Sequence, residues 1–296
     1  MDLDFRNILD RGQFIEFPFP HWIVKDVFTK KTLYEIELAF PNSREIYSKL
    51  LLMNPKINPY DQNTSYPLQF KDTREADNIL GSVARAWEDQ KESILDYISE
   101  YLPIKNQYEL SQIKSSSIAR GDFRTTSPVT IPGTTQLGPH LDSPSEIFAG
   151  LIYLRQDHDL SSGGNLELYK LNLTSPPKYS SRKRKVPKKY LTKIEDIPYE
   201  KNIGIFFISH PEAIHGISSR SVTEFDRRLI NLTIEVPVSS NFKMFDINSI
   251  VDDNLTKSDN ESKLKIILNK ILSIFIYRNF RKNKYEIKGY IKEDEL

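Results

Sequence analysis

The residues of this chain best suited to chemistry are His140 and Asp142, in the stretch Gly138-Pro-His-Leu-Asp-Ser-Pro144. In an extended segment, residues two apart point to the same face. One rigid segment therefore presents an imidazole and a carboxylate together. That is two-thirds of the His–carboxylate–His facial set that holds Fe(II) while leaving coordination positions open. The third donor must come from elsewhere, and only five histidines exist: His21, His140, His158, His210 and His215. His215 follows the aromatic-aliphatic run IGIFFIS (203–209) and the turn HPEAI, an arrangement that can deliver it opposite His140. His210 competes for the role. It opens the turn beside Pro211 and is expected to face solvent or cap the loop.

A second feature lies twelve residues on, in the run DRRLINLTIEV (226–236). Alternation puts Arg227, Leu229, Asn231 and Thr233 on one face and Arg228, Ile230, Leu232 and Ile234 on the other. A guanidinium turned inward is costly unless it meets an anion, and its planar fork suits a carboxylate. A slip of one residue exchanges the faces, so Arg228 stands as the alternative to Arg227. Three metal ligands and one inward arginine predict a small acidic co-substrate beside a metal.

These side chains need a scaffold, and 296 residues with 39% hydrophobic and 27% charged positions suffice for a sizeable core. A net charge of +1 argues against general nucleic-acid binding. The lack of cysteine excludes disulfides, zinc–thiolate sites and thiol catalysis, and fits a reducing, cytoplasmic setting. The opening MDLDFRNILDRGQF has no signal-peptide pattern, and no apolar run reaches membrane-spanning length. The ending Glu293-Asp-Glu-Leu296 is similar to a retrieval signal of the endoplasmic reticulum and, with no signal-peptide pattern read at the start, is expected to be a coincidence.

Three regions are expected. Residues 1–107 carry an entering strand (15–27), a helix from Thr29 to Phe40, a loop (52–71) and a long helix (73–102) with Asp72 and Glu75 at capping-box spacing. Residues 108–238 change texture, with short β-rich runs at 112–118, 137–142, 147–154, 164–170, 203–209 and 226–236, spaced by turn signals. That pattern predicts a sandwich or barrel, a jelly roll being one solution. Residues 171–202 interrupt it as an insertion with a basic cluster from Arg182 to Lys189, expected to be a solvated loop. Residues 239–296 end in an apolar-basic helix (SKLKIILNKILSIFIYRNFRK), a candidate oligomer contact.

The ordered set HLD…IFAGLIYL…GGNLELY…IFFISHPEAIHG…RRLINLT resembles the Fe(II)/2-oxoglutarate-dependent oxygenase superfamily, most closely its prolyl-4-hydroxylase-like branch. It covers roughly residues 110–236, and PFPHWIVKDVFTKKTL is similar to that branch's N-terminal strand and helix. The resemblance implies an α+β protein with a double-stranded β-helix (jelly-roll) core, N-terminal supporting helices and a C-terminal helical extension. It implies Fe(II) on His140, Asp142 and His215. It makes Arg227 the partner of the distal 2-oxoglutarate carboxylate, with Tyr153 beside it and Leu166 and Asn231 lining the pocket. The implied reaction consumes dioxygen and 2-oxoglutarate and hydroxylates an unactivated C–H bond. The substrate is an unidentified small molecule, glycan or peptidyl group. Two other readings compete: a cupin-like metalloprotein of another reaction class, with no use for an inward Arg227, and a non-catalytic jelly-roll module presenting the basic 182–189 loop to an acidic partner.

Overall fold

The computed structural model describes residues 3–40, the strand path of 65–68, and residues 77–126, 129, 137–172, 185–237 and 241–245. The expected C-terminal helix lies outside these residues, as do positions 73–76 of the long helix and Arg182 to Arg184 of the basic cluster.

Caps set the helices. Asp4 opens α1 (Phe5–Asp10) by accepting from Asn7 N. Thr29 opens α2 (Lys30–Ala39) by accepting from Thr32 N, close to the expected bounds. The single helix expected over 73–102 is instead two. Asn78 Oδ1 accepts from Leu80 N and Gly81 N to start α3 (Ile79–Asp89), and α4 (Lys91–Tyr97) follows a joint at Gln90. The joint has a physical reason: the Gln90 amide accepts from Phe5 N at 2.7 Å and donates to Leu3 O, which ties it to the N-terminus. The apolar stripe survives the break, with Val83, Trp87, Ile94, Leu95 and Ile98 all buried.

The strand expected at 112–118 is also corrected, because α5 (Gln107–Ser116) occupies most of it. Asn106 accepts from Glu109 N while the Glu109 carboxylate accepts from Lys105 N, a reciprocal cap that outweighs the strand-like composition. The expected boundary at 107/108 thus falls at the start of a helix.

Two antiparallel sheets form the rest. The larger has the order β1 (Gln13–Ile15), β2 (His21–Lys25), β9 (Ile203–Ile208), β6 (Glu146–Tyr153), β11 (Arg227–Glu235), β4 (Ile118–Thr126) and β3 (Ser65–Leu68). The smaller runs β5 (Leu137–His140), β10 (Ile214–Ile217), β7 (Leu166–Leu171) and β8 (Leu191–Ile197). The long entering strand is therefore two short ones, and β3 lies within the expected 52–71 loop. Much of the expected 171–202 insertion belongs to the small sheet: β8 pairs with β7 along its length. Its alternation was hidden by charge, since Lys193, Glu195 and Asp196 interrupt the apolar positions.

The helices cover one face of the large sheet, where Ile230, Leu232 and Ile234 meet Trp87, Phe148 and Phe206. The Trp87 indole N–H donates to Thr233 O. A second apolar cluster fills the space between the sheets, with Tyr153, Leu166, Leu168, Tyr199, Ile205, Phe207 and Leu229. The site opens beside this second cluster.

Candidate metal centre

Strand register builds the site. Across the small sheet, Glu195, Leu168, His215, His140 and Lys185 are successive Cα partners, forming one row. Across the large sheet, Ile15, His21, Phe207, Ala149, Thr233 and Arg120 form another. The rows meet where the Phe207 ring lies 4.9 Å from the His215 ring and where His21 Nε2 lies 3.6 Å from Glu195 Oε2. Directly paired residues project to the same side, so His140 and His215 face inward together.

Their rings are 4.4 Å apart. Asp142, just past the end of β5, reaches both: Oδ1 is 3.8 Å from His140 Nε2 and Oδ2 is 3.6 Å from His215 Nε2. One donor atom from each of the three lies within 4.8 Å of the others. Each histidine places Nδ1 on the carbonyl two residues back, at 3.1 Å to Gly138 O and 3.0 Å to Ala213 O. Because a carbonyl only accepts, Nδ1 carries the proton of this bond, and Nε2 is the nitrogen turned toward the carboxylate. Nitrogen and oxygen donor atoms gathered this closely can be bridged by one cation. The 3.6 and 3.8 Å separations lie inside the ~4.2 Å that two bonds of ~2.1 Å can span. The residues present therefore fit a divalent metal. His210 stands apart: it is exposed, and its Nδ1 accepts from Glu212 N within the turn.

Arg227 heads β11 on the inner face. It is 1% exposed, its Nε donates to Gly164 O at 2.9 Å, and its guanidinium carbon lies 4.8 Å from the Tyr153 ring and 5.0 Å from the Tyr199 ring. Its Nη2 and the Tyr153 hydroxyl are both buried, and neither has a hydrogen bond of good geometry, the guanidinium reaching the phenol only as a weak contact. Burial pushes the Tyr153 phenol above its ordinary range, with Arg227 pulling partly the other way, so the hydroxyl keeps its proton. Two orphaned donors, one of them charged, ask for an anion. Arg228 turns to the other face, its guanidinium 5.3 Å from the Phe40 ring, and its backbone N–H donates to the Tyr199 hydroxyl. Leu166 is buried in the inter-sheet cluster, and Asn231 is half-buried on the face shared with Leu229, paired to Leu151 and Asp122.

The sequence offered no signal for several residues that shape this end of the site. Tyr199 is fully buried, with the guanidinium carbons of Arg155, Arg220 and Arg227 at 5.7, 5.6 and 5.0 Å from its ring. Arg220 is buried against Asp159, with Nη2 2.8 Å from Oδ2, and it also donates to Ser161 Oγ and Phe225 O. Burial lowers the Arg220 pKa, and Asp159 opposes that shift. Gly163 and Gly164 both adopt positive φ, at 79° and 76°. The doublet was visible in GGNLELY. What it packs against was not, because Ser219 and Arg220 are some fifty residues away in a polar loop.

No family model matches the chain, and no curated protein matches it. Among solved structures it is similar to a Pseudomonas putida prolyl-4-hydroxylase at 10% identity, covering 73% of this chain and 92% of that one, with a TM-score of 0.39. It is similar to a prolyl 4-hydroxylase from Phytophthora capsici at 11% identity, covering 97% and 88%, with a TM-score of 0.41. A third is the viral collagen prolyl hydroxylase of Paramecium Bursaria Chlorella virus-1, in a 2OG complex, at 12% identity, 73% and 96% coverage and a TM-score of 0.40. The structural neighbours of this chain are thus prolyl-4-hydroxylases and other oxygenases, at the level of distant likeness.

Proposed function

We propose that this protein is an Fe(II)- and 2-oxoglutarate-dependent dioxygenase that hydroxylates an unactivated C–H bond of a small-molecule, glycan or peptidyl substrate. The observation that carries the reading is the pairing of two incomplete sites in one inter-sheet space. Three side chains able to ligate a metal, His140, Asp142 and His215, bring one donor atom each within 4.8 Å of the others. Arg227 Nη2 and the Tyr153 hydroxyl are buried donors without an acceptor. A divalent metal satisfies the first and a carboxylate satisfies the second, and 2-oxoglutarate carries both a chelating end and a distal carboxylate.

In this reading β4 to β11 form the double-stranded β-helix, or jelly roll, within residues 108–238. Their alternation between the two sheets, broken only where β7 and β8 pair within the small one, supports it. Iron would be held by His140, Asp142 and His215, and it supplies the redox chemistry that activates dioxygen. The chain's own residues do the rest. The carbonyls of Gly138 and Ala213 fix the imidazoles, Arg227 neutralises the distal carboxylate, Tyr153 donates to it, and Leu166 and Phe207 keep the pocket dry. Asn231 is the polar group on that wall.

The test is anaerobic titration with Fe(II) and 2-oxoglutarate, followed by admission of air and measurement of succinate. Slow succinate release by the wild type and its loss in Asp142→Ala are expected. Metal binding without any 2-oxoglutarate binding would overturn the reading and leave a metalloprotein of another class.

A further inference from the structure

The row of paired residues that carries the two histidines does not stop at His140. Beyond the edge of β5, Lys185 pairs with His140 in an isolated antiparallel bridge, and Val186 N donates to Pro139 O at 2.9 Å. A bond between these flanking residues makes His140 and Lys185 a non-hydrogen-bonded pair. Such pairs hold their Cα atoms ~4.5 Å apart, and both side chains leave the strand on the same side. The Lys185 side chain therefore starts beside the His140 imidazole, on the face that carries the metal ligands.

The segment that holds it is anchored. Val186 is 3% exposed in the main core, Tyr190 N donates to Pro187 O, and Asn172 N donates to Tyr190 O. Lys185 itself is exposed, and among the described residues no carboxylate forms an ion pair with it. The nearby acid, Asp142, is directed at the two histidines instead.

Exposure shows from which side the site is reached. At one end of the row Glu195 has a side-chain exposure of 35%, but Leu168, which lies between it and His215, is fully buried and closes that side. Side-chain exposure is 7% at His215 and rises to 15% at His140 and 21% at Asp142. The centre thus opens toward Lys185. The matching row of the large sheet ends on another cation, Arg120, whose side chain is 46% exposed and pairs with Glu235. The exposed edge of the centre is thus the edge on which Lys185 is paired with His140.

We propose that the substrate carries an anionic group, a carboxylate or a phosphate, that is held by Lys185 within one side-chain length of His140. This rests on the metal-centre reading above and narrows its substrate class. A cation at the rim favours an anion both in encounter and in position, and a stem rooted beside a metal ligand bounds how far the reacting carbon lies from the charge.

The experiment uses the full chain with Mn(II) as a paramagnetic reporter in place of iron and with saturating 2-oxoglutarate. Methyl phosphate and acetate are the probes. Broadening of the phosphorus resonance of one and the carboxyl carbon resonance of the other gives the affinity of each anion near the metal and separates the two sources of charge. At least one probe should broaden with the wild type. Its Kd should rise roughly three- to fivefold in Lys185→Ala, as for loss of one exposed ion pair, with recovery in Lys185→Arg. Lys185→Glu should lower affinity further, and 2-oxoglutarate affinity should stay unchanged in all three. Equal anion affinity in wild type and Lys185→Ala would overturn the proposal while leaving the metal centre standing, as would a loss confined to 2-oxoglutarate. Failure of the wild type to bind Mn(II) would remove the metal-centre reading and this proposal with it.

Discussion

Replacing Arg227 by methionine separates a ligand-binding guanidinium from a structural one, because the two roles change stability in opposite ways. In the free protein the side chain is 1% exposed and has one hydrogen bond, from Nε to Gly164 O. It lies over the Tyr153 and Tyr199 rings, and its Nη2 is unsatisfied. Cation–π contacts and one charge-assisted bond contribute ~2–4 kcal/mol, while burial of an incompletely paired charge costs a comparable amount. Methionine has a similar length and no charge to desolvate. The metal- and ligand-free variant should therefore stay within ~1–2 kcal/mol of wild type, as for other exchanges of a buried charge for an apolar side chain. Binding of 2-oxoglutarate should suffer far more. Removing a buried charge-assisted clamp costs about 2–5 kcal/mol, a loss of roughly 30- to 5,000-fold in affinity. Calorimetric titration of 2-oxoglutarate into the Mn(II)-loaded proteins reads the affinity, and denaturant unfolding of the ligand-free proteins reads the stability. Mn(II) affinity itself should be unaltered. A variant that binds 2-oxoglutarate within threefold of wild type, or that loses more than ~3 kcal/mol of ligand-free stability, would refute the clamp.

Three further outcomes test the surroundings of the clamp. Tyr153→Phe removes a buried hydroxyl that has no partner, so ligand-free stability should hold or rise slightly, whereas 2-oxoglutarate affinity should fall by about five- to tenfold; equal affinity would show that the hydroxyl does not meet the ligand. Gly164→Ala forces a side chain onto a φ of 76° with its Cβ 2.9 Å from Arg220 Cγ and Cδ. Unfolding experiments should show a loss of ~1 kcal/mol or more, and 2-oxoglutarate should bind more weakly because the carbonyl that holds Arg227 moves. Asp159→Ala leaves the buried Arg220 charge without its carboxylate and should cost ~3–5 kcal/mol in denaturant unfolding, and a loss below 1 kcal/mol would mean that water reaches the pair.

What could be read from the sequence is what depends on neighbours along the chain. His140 and Asp142 share a face because they are two apart, and Thr29 starts a helix because its hydroxyl reaches an amide three residues on. The strands β6 and β9 declare themselves through short apolar runs, and β11 through its alternation of faces. The errors share a cause too. Asn78, Asn106 and Gln90 set helix ends through side-chain contacts that outweigh composition, and β8 is disguised by charges on both of its faces. The remaining features were decided by pairing between distant segments. Whether Arg227 or Arg228 faces inward follows from the partnership of β11 with β4 and β6, which sends Arg227 toward Tyr153 and Arg228 toward Phe40. The row from Glu195 to Lys185 is assembled from five separate segments, so no spacing in the chain foretells it. The same holds for Arg220 and Asp159, sixty-one residues apart, which bury their charges only because each supplies the counterion the other lacks. Local periodicity fixes which way a side chain points from its own strand, but only the closed pair of sheets determines what it points at.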